Sequence, residues 1–328
     1  MTPNTTDNVV RFIDDHDYFY VLGHREPDGD CIGAQLALAS LLNRRGKRAV
    51  ALHDGPFDRP ETETFAAAFQ ERAPEPAGGA SAVIVCDCST PERVSERYRP
   101  LLSLPVLVID HHAAGEAFGN VCFTDAGAAS TTTLVVRLFR ALSDVPSGEE
   151  ATLLFFGLAT DTGFFRHCDH NCGEVFETAA FLVERGASPK KTYGMMYGNR
   201  SLGQRKLLGK LIEKAESHFG GRLILTAQTL AELREAGPNV RSSEELYSLF
   251  QTVRGVEVII FLREEEADVV SVGLRSLRSV DVGQVARDHG GGGHMLASGF
   301  NYQGTLAEAR GLVLAVFTGI LDRAASDA

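Results

Sequence analysis

Residues 107–112 read Leu-Val-Ile-Asp-His-His, an apolar strand-like run that leads directly into three side chains able to bind or orient a divalent metal. Three further apolar runs end in the same kind of side chain, at His24, Asp87 and Asp161. The carboxyl ends of parallel strands form the site of an open α/β sheet, so these side chains are expected to meet at one edge. The pattern predicts a two-metal hydrolase.

The segment after the first apolar run, residues 24–30, reads His-Arg-Glu-Pro-Asp-Gly-Asp. It offers one imidazole and two carboxylates, Asp28 and Asp30, and Gly29 is expected to remove a side chain where backbone and metal approach closely. Taken alone, Pro-Asp-Gly is a common turn and a His-His pair is often two unrelated surface groups. Their joint occurrence at the ends of apolar runs favours two hard divalent ions, a known clamp for phosphoryl displacement.

The chain has 328 residues, of which 44% are hydrophobic and 23% charged, as is typical of a soluble globular protein with two domains. No stretch approaches ~18 uninterrupted apolar residues, so we expect no membrane span. The six cysteines are too few for the dense disulfide framework of a secreted domain, which favours reduced thiols and a cytoplasmic location. Zinc binding by Cys168 and Cys172 is a weaker alternative because no second cysteine pair lies nearby.

The net charge of −11 disfavours long duplex nucleic acid as a partner, because such binding depends on basic contacts to phosphates. Local charge differs from this average. Residues 185–214 carry eight basic residues and one acidic residue. A solvated helix face and an anion-binding cleft are both compatible with this segment.

In the first half of the chain, short apolar runs that resemble buried strands lie at residues 18–22, 49–52, 82–86 and 106–109. They alternate with helical patterns, such as the one at residues 32–42. This alternation predicts a parallel sheet with helices on both faces. We assign residues 1–187 to this domain, 188–218 to a basic linker and connecting helix, and 219–328 to a smaller α+β domain. The helix is expected at residues 202–218, and the acidic residues 264–268 are expected to form a hairpin turn.

The motifs at residues 24–30, 87, 110–112 and 161, in this order, resemble the four motifs of the DHH phosphoesterase superfamily. Residues 290–294, Gly-Gly-Gly-Gly-His, followed by Ala-Ser-Gly, resemble the DHH-associated C-terminal domain of that superfamily. With Leu-Arg-Ser at residues 274–276, the chain is most similar to the bifunctional oligoribonuclease and pAp phosphatase family. The resemblance spans roughly residues 15 to 320.

The resemblance implies roles for particular residues. One metal would be held by His24, Asp28 and Asp87, and the other by Asp30, Asp87, His111 and Asp161. Asp110 would orient a ligand and His112 would face the scissile phosphate, so both are expected to be catalytic. Substrate-binding residues would be Arg275, Ser276, Gly291, Gly292, Gly293 and His294. The metal would be manganese (Mn²⁺), with magnesium, cobalt or iron as alternatives.

The implied reaction is hydrolysis of short oligoribonucleotides to 5′-mononucleotides, or of 3′-phosphoadenosine 5′-phosphate (pAp) to AMP and phosphate, by water that two metals activate. The substrate would be one to a few nucleotides long, and a homodimer is an expected assembly. Alternatives are a phosphodiesterase for cyclic dinucleotides or linear pApA, and a pyrophosphatase or exopolyphosphatase. A non-catalytic nucleotide-binding regulatory protein would belong to another class.

Overall fold

The computed structural model describes residues 6–76, 78–112, 118–198, 200–237 and 243–326. The chain divides into two compact units, Met1–Asn199 and Arg200–Ala328. This division falls within the predicted linker at residues 188–218, whose two halves join different units. Among the described helices, none combines the length and apolar character needed to cross a bilayer.

The first unit has a parallel sheet with strand order β2-β1-β3-β4-β5. Its helices and strands, in chain order, are α1 (Thr6–Asp14), β1 (Tyr18–Leu22), α2 (Gly29–Arg44), β2 (Arg48–Ala51), β3 (Ser81–Cys86), β4 (Val106–Asp110), β5 (Val121–Thr124), α3 (Thr131–Ala141), α4 (Gly148–Asp161), α5 (Gly173–Glu184) and α6 (Pro189–Tyr197). The strand β5 was not predicted from the sequence.

The two faces of this sheet bury alternate residues of each strand. Phe19 and Ile84 face a core shared with α2, α3 and α4. Tyr20 and Val85 face a second core that includes Val94, between the short 3₁₀ helices Pro91–Arg93 and Arg99–Ser103. Helices therefore cover both faces, and the predicted α/β fold class is confirmed.

Glycines allow α2 and α4 to pack closely at the edge of the sheet where the predicted ligands lie. A Cβ atom at Gly29 would lie 2.5 Å from Thr160 Cγ2, and one at Gly33 would lie 2.5 Å from the Leu153 carbonyl oxygen. Helix packing therefore gives a second reason for glycine at position 29, and the predicted close approach of a metal stays a prediction. This packing positions Asp161 at the end of α4 beside the start of α2.

The second unit has a mixed sheet with strand order β10-β11-β9-β8-β7-β6, in which only the pair β7 and β8 is parallel among the described strands. Its elements are α7 (Leu202–Glu213), β6 (Glu216–His218), β7 (Leu223–Gln228), α8 (Leu230–Ala236), α9 (Ser243–Phe250), β8 (Val258–Glu266), β9 (Val269–Ser276), α10 (Val282–Asp288), β10 (Gly292–His294), β11 (Ala297–Gln303) and α11 (Leu306–Ser326). One face packs on α10 and α11, and the other on α7 and α9.

Two boundaries in this unit differ from the prediction. The helix α7 ends at Glu213, and the residues up to His218 form the edge strand β6, which pairs with β7. The acidic run does not form a turn along its whole length, because β8 continues through Glu266 and pairs with β9. Strand pairing thus overrides the local patterns.

The basic face of α7 is largely neutralised by acidic residues of the same unit. Arg205 pairs with Glu245, Lys210 Nζ lies 2.7 Å from Glu235 Oε2, and Lys214 pairs with Glu232. These pairs favour the interpretation of this part of the basic segment as a solvated helix face.

Candidate metal centre

The first cluster of predicted ligands forms around His24, which follows β1. His24 Nε2 lies 3.3 Å from Asp87 Oδ2 and 3.8 Å from Asp28 Oδ2. The other ring nitrogen, Nδ1, lies 2.7 Å from the Arg25 carbonyl oxygen and donates to it in the matching tautomer. A backbone bond of this kind orients a metal-binding imidazole, because it leaves the lone pair on Nε2 directed at the cluster.

The second cluster forms around His111, which follows β4. His111 Nε2 lies 3.0 Å from Asp161 Oδ2, 3.6 Å from Asp87 Oδ1 and 4.0 Å from Asp30 Oδ2. Its Nδ1 atom lies 3.3 Å from the Ala128 carbonyl oxygen, the same arrangement as in His24. Six predicted metal ligands from four chain segments are therefore brought together within one unit.

Asp87 belongs to both clusters. Its Oδ2 atom is near His24 and its Oδ1 atom is near His111, so one carboxylate can serve two adjacent cations. Its backbone φ of 58° lies in the left-handed region that non-glycine residues rarely adopt. The strained conformation at the end of β3 directs the side chain into the site, where Thr131 Oγ1 donates to Oδ1 at 2.9 Å.

Asp30 is held by residues that sequence reasoning missed. The backbone amides of Thr131 and Thr132, in the first turn of α3, donate to its two carboxylate oxygens at 2.6 and 2.9 Å. Asp30 is fully buried and therefore lacks stabilisation by bulk water. The two amide hydrogen bonds and the positive end of the α3 dipole stabilise its negative charge instead. The N-cap residue Ser130 marks the start of α3 in the sequence but does not reveal its contact with Asp30.

Asp110 and His112 form a pair beside the clusters. His112 Nδ1 lies 2.7 Å from Asp110 Oδ1, and the backbone amide of His112 donates to the same oxygen at 3.2 Å. Asp110 is buried, whereas the His112 side chain is 39% exposed. Because Asp110 occupies Nδ1, the ring is fixed and Nε2 is the nitrogen left for a substrate. His112 Nδ1 is also 3.5 Å from Asp87 Oδ1.

Burial and the neighbouring carboxylates both oppose the ionisation of Asp30 and Asp161. Burial, and then the carboxylates of Asp161, Asp87 and Asp28, raise the pKa of Asp30 well above its usual range. Burial likewise raises the pKa of Asp161 to about 6, although the nearby His111 opposes the shift. Carboxylates this close are stabilised when cations lie between them.

Two buried polar atoms within the site lack a hydrogen-bond partner among the described residues, Asp110 Oδ2 and His111 Nε2. His111 Nε2 lies near Asp161 without the alignment of a hydrogen bond, as expected for two ligands of one cation. With the mixed imidazole and carboxylate donors, this arrangement fits two divalent metal ions. The predicted ligands Asp28, Asp30, Asp87 and Asp161 would balance their charge.

Cys31 is an additional side chain near the first cluster that the sequence did not single out as a ligand. Its sulfur, His24 and Asp87 offer atoms within 4.8 Å of one another. Burial raises the pKa of Cys31 to about 12, and its thiol donates to Gln35 Oε1 at 3.4 Å. A protonated, hydrogen-bonded thiol packs against the cluster and is a weaker metal ligand than the imidazole.

The predicted substrate-binding residues lie at one end of the second sheet. Arg275 and Ser276 are the last residues of β9. Ala297 of β11 pairs with Arg275 on one side and with His294 of β10 on the other. Arg275 Nη2 donates to Glu244 Oε1 at 2.7 Å, and its guanidinium lies 4.3 Å from the centre of the Tyr247 ring. The arginine is therefore positioned and neutralised within its own unit.

The glycine run at residues 290–293 lies partly in a strand and not in an open loop. Gly292 and Gly293 belong to β10, an exposed edge strand paired with β11. A Cβ atom at Gly291 would lie 2.2 Å from the Gly299 carbonyl oxygen, and Gly293 has a φ of 132°. Glycine is required here because the two strands approach closely and because the backbone adopts a left-handed conformation.

The parallel sheet with a histidine and aspartate centre at its carboxyl edge, followed by a mixed α+β unit, defines the class of metal-dependent phosphoesterases. Comparison with family profiles agrees: the N-terminal domain of the DHH family matches residues 18–158, and the DHHA1 domain matches residues 224–321. The chain belongs to the DHH family, as its motifs predicted.

Several known proteins and solved structures resemble the chain. The "Bifunctional oligoribonuclease and PAP phosphatase NrnA" of Thermus thermophilus is 31% identical over 292 residues, which cover 87% of this chain and 84% of that protein. The "Cyclic-di-AMP phosphodiesterase PdeA" of Listeria monocytogenes is 24% identical over 304 residues, 88% of this chain and 45% of that protein.

Among solved structures, an exopolyphosphatase-related protein from Bacteroides fragilis has a TM-score of 0.80 at 24% identity, and the match covers 97% of this chain and 95% of that one. RecJ from Thermus thermophilus in complex with Mn²⁺ has a TM-score of 0.51 at 16% identity, covering 98% of this chain and 54% of that one. At these identities both structures support the fold alone.

Proposed function

We propose that this protein hydrolyses short oligoribonucleotides to 5′-mononucleotides and pAp to AMP and phosphate, with manganese as its metal. The observation that carries the proposal is the pair of imidazole and carboxylate clusters that share Asp87. The Thermus thermophilus relative, whose name combines these two activities, matches 87% of the chain and supports the choice of substrates.

The metal ligands would be His24, Asp28 and Asp87 in one cluster and Asp30, Asp87, His111 and Asp161 in the other. Divalent ions held there supply Lewis acidity toward a phosphate and lower the pKa of coordinated water. The protein contributes the fixed geometry, because Thr131 and Thr132 hold Asp30 and backbone carbonyls hold both imidazoles.

His112 is the proposed contact to the reacting phosphate. The carboxylate of Asp110 holds its Nδ1 atom, so Nε2 can donate a hydrogen bond to a phosphate oxygen or a proton to the leaving oxygen. A donor with one fixed ring orientation needs little rearrangement when the substrate arrives. Asp110 therefore acts as a positioning residue for His112.

In the second unit, we propose that Arg275, Ser276, Gly291, Gly292, Gly293 and His294 bind substrate. Arg275 can offer two parallel donors to a phosphate. The buried Ser276 hydroxyl has no hydrogen-bond partner among the described residues, so a ligand can satisfy it. His294 is exposed on β10 beside these groups.

Parallel incubation with three substrates tests the proposed function. The manganese-loaded protein is given pAp, a 5′-phosphorylated RNA trinucleotide and cyclic di-AMP, and the products are separated chromatographically. Release of AMP and 5′-mononucleotides with cyclic di-AMP intact supports the proposal. Preferential opening of cyclic di-AMP moves the assignment to the cyclic-dinucleotide phosphodiesterases, and no turnover of any substrate favours pyrophosphate hydrolysis or a binding role.

We further propose that the enzyme is a cytoplasmic homodimer. All six cysteines are free thiols, which suits a reducing compartment. Sedimentation of the purified protein tests the dimer, and a monomer at micromolar concentration contradicts it. Fractionation of cells that express the protein tests the location.

A further inference from the structure

His53 is a buried histidine outside the two metal clusters that contacts the backbone of a proposed ligand. It follows β2 by two residues, and its side chain is almost entirely enclosed. Its Nε2 atom lies 3.0 Å from the backbone carbonyl oxygen of His24. The two histidines are 29 positions apart in the chain, so no local motif connects them.

The hydrogen bonds of His53 determine which of its ring nitrogens carries the proton. The backbone amide of Gly55 donates to His53 Nδ1 at 2.8 Å. Because an amide N–H can only donate, Nδ1 is the unprotonated nitrogen and the ring proton lies on Nε2. His53 Nε2 therefore donates to the His24 carbonyl oxygen.

Packing holds the His53 ring in this orientation. The centre of the ring lies 5.0 Å from that of Phe57 and 5.7 Å from that of Phe69. The backbone amide of His53 donates to the Gln70 carbonyl oxygen at 3.1 Å, which fixes the start of the side chain. A ring packed on these neighbours has little freedom to change rotamer, so His53 is a donor of fixed position.

The peptide group that joins His24 to Arg25 is held at both of its polar atoms. His53 donates to its carbonyl oxygen, and its amide donates to the Arg93 carbonyl oxygen at 2.8 Å. Because a peptide group is planar, these two bonds fix its orientation. The next residue, Glu26, has a φ of 59°, in the left-handed region. Such a conformation persists only where surrounding contacts hold it.

We propose that His53 is a positioning residue for the first metal ion, a role that rests on the metal centre proposed above. By holding the peptide group between His24 and Arg25, His53 keeps the Arg25 carbonyl oxygen in place beside His24 Nδ1. That contact directs His24 Nε2 toward Asp87. Loss of the His53 hydrogen bond should therefore weaken metal binding at the His24 cluster and leave the His111 cluster intact.

Two substitutions separate the hydrogen bond to His24 from the other contacts of the ring. In His53→Gln, the amide nitrogen can take the place of Nε2 and donate to the His24 carbonyl oxygen. In His53→Asn, the shorter side chain can take the place of Nδ1 and accept from Gly55, but it does not reach His24. Calorimetry with manganese alone measures both variants and wild type, and circular dichroism establishes that each is folded.

We expect wild type and His53→Gln to bind manganese at two sites with similar affinities. In His53→Asn, one of the two sites should bind about ten- to a hundredfold more weakly, the usual cost of losing a group that orients a ligand. Unchanged affinities in His53→Asn would overturn the role of His53. Equal losses in the two variants would also overturn it, because a structural role does not distinguish the donor from the acceptor. Failure of wild type to bind manganese would instead overturn the metal centre itself.

The wild-type protein provides a test that does not depend on a variant or on metal. Nitrogen-15 NMR of the metal-free protein with labelled histidine reports the tautomer of each ring. We expect the His53 resonances, assigned by their absence in His53→Gln, to show a proton on Nε2 and none on Nδ1. A proton on Nδ1 would overturn the hydrogen bond to His24 and the role assigned to His53.

Discussion

The metal centre of the first unit and the sheet end that carries Arg275 in the second unit balance their charges in different ways. In the first unit, buried carboxylates converge, and burial followed by their mutual repulsion raises the pKa of Asp30. In the second unit, Arg275 pairs with Glu244 and lies over the ring of Tyr247. The first region needs cations from outside the chain, whereas the second already contains its counter-charge.

This difference indicates what each region contributes. A centre with excess negative charge binds metal ions strongly and then loses that affinity when a single carboxylate is removed. Arg275 is already paired with Glu244, so a phosphate must share the guanidinium with Glu244 or displace it. The binding free energy that Arg275 contributes to the substrate is therefore smaller than that of an unpaired arginine. We therefore expect variants of the first region to have the larger effects on activity.

The largest effect is expected for Asp87→Asn, which removes the carboxylate shared by both clusters. Asparagine tolerates the φ of 58°, so the backbone should be retained. We expect hydrolysis to fall about a thousandfold or more, since metal coordination supplies several kcal/mol of the catalysis. Calorimetry should show weaker manganese binding, while the exposed control Asp58→Asn behaves as wild type. Wild-type metal binding and turnover in Asp87→Asn would refute the shared role.

A smaller effect is expected for Asp110→Asn, which leaves the six proposed metal ligands intact. Loss of the carboxylate that fixes His112 should lower kcat about a hundredfold, with little change in KM, since general acid and base groups contribute at least this much. His112→Ala should lower kcat to a similar extent. Manganese stoichiometry measured by calorimetry should stay unchanged in both. Loss of bound metal in Asp110→Asn would instead place Asp110 among the ligands.

In the second unit, Arg275→Ala and Glu244→Gln should change substrate affinity in opposite directions. Removing Arg275 should raise KM about tenfold or somewhat more, because a charged hydrogen bond to phosphate is lost. Glu244→Gln should lower KM by no more than a few fold, because an exposed ion pair is weak. Steady-state kinetics on pAp measures both changes. An unchanged KM in Arg275→Ala would remove this residue from the substrate site.

The smallest effect is expected away from both regions, at Glu150. This buried acid pairs with Arg44 at 2.9 Å and completes the capping box of α4 with Ser147. Although burial opposes the shift, the Arg44 guanidinium lowers the pKa of Glu150 below its usual value. Glu150→Gln should reduce the free energy of unfolding at pH 7 by about 1 to 2 kcal/mol. The reduction is modest because the Arg44 side chain is partly exposed and remains hydrated when the ion pair is lost.

The same variant has a defined pH dependence. The lowered pKa means that the ion pair stabilises the folded state fully above the unfolded pKa of about 4.3 and loses this contribution as pH falls through the folded pKa. The difference between wild type and Glu150→Gln should therefore shrink in acid. Urea unfolding at several pH values measures it, with the exposed Glu149→Gln as the control. A difference that grows as pH falls would contradict this assignment.

Most of the first unit could be predicted because its signals are local. Apolar runs mark β1, β3 and β4, and the ligands follow them directly in the chain. The strand β5 (Val121–Thr124) was missed because no described helix separates it from β4, so it falls outside the alternation of strands and helices on which the prediction relied. The strands β6 and β10 were missed because each has only three residues and depends on its neighbour for pairing.

The sequence by itself determined which side chains are the candidate ligands, their order and their positions at the ends of apolar runs, since side chains and apolar periodicity are local properties. Only the tertiary structure decided which groups hold them. The amide of Thr131 reaches Asp30 across 101 positions of sequence, and Arg275 pairs with Glu244 across 31. Such contacts arise when distant elements pack, as where Gly29 and Gly33 let α2 approach α4. No local pattern encodes that approach.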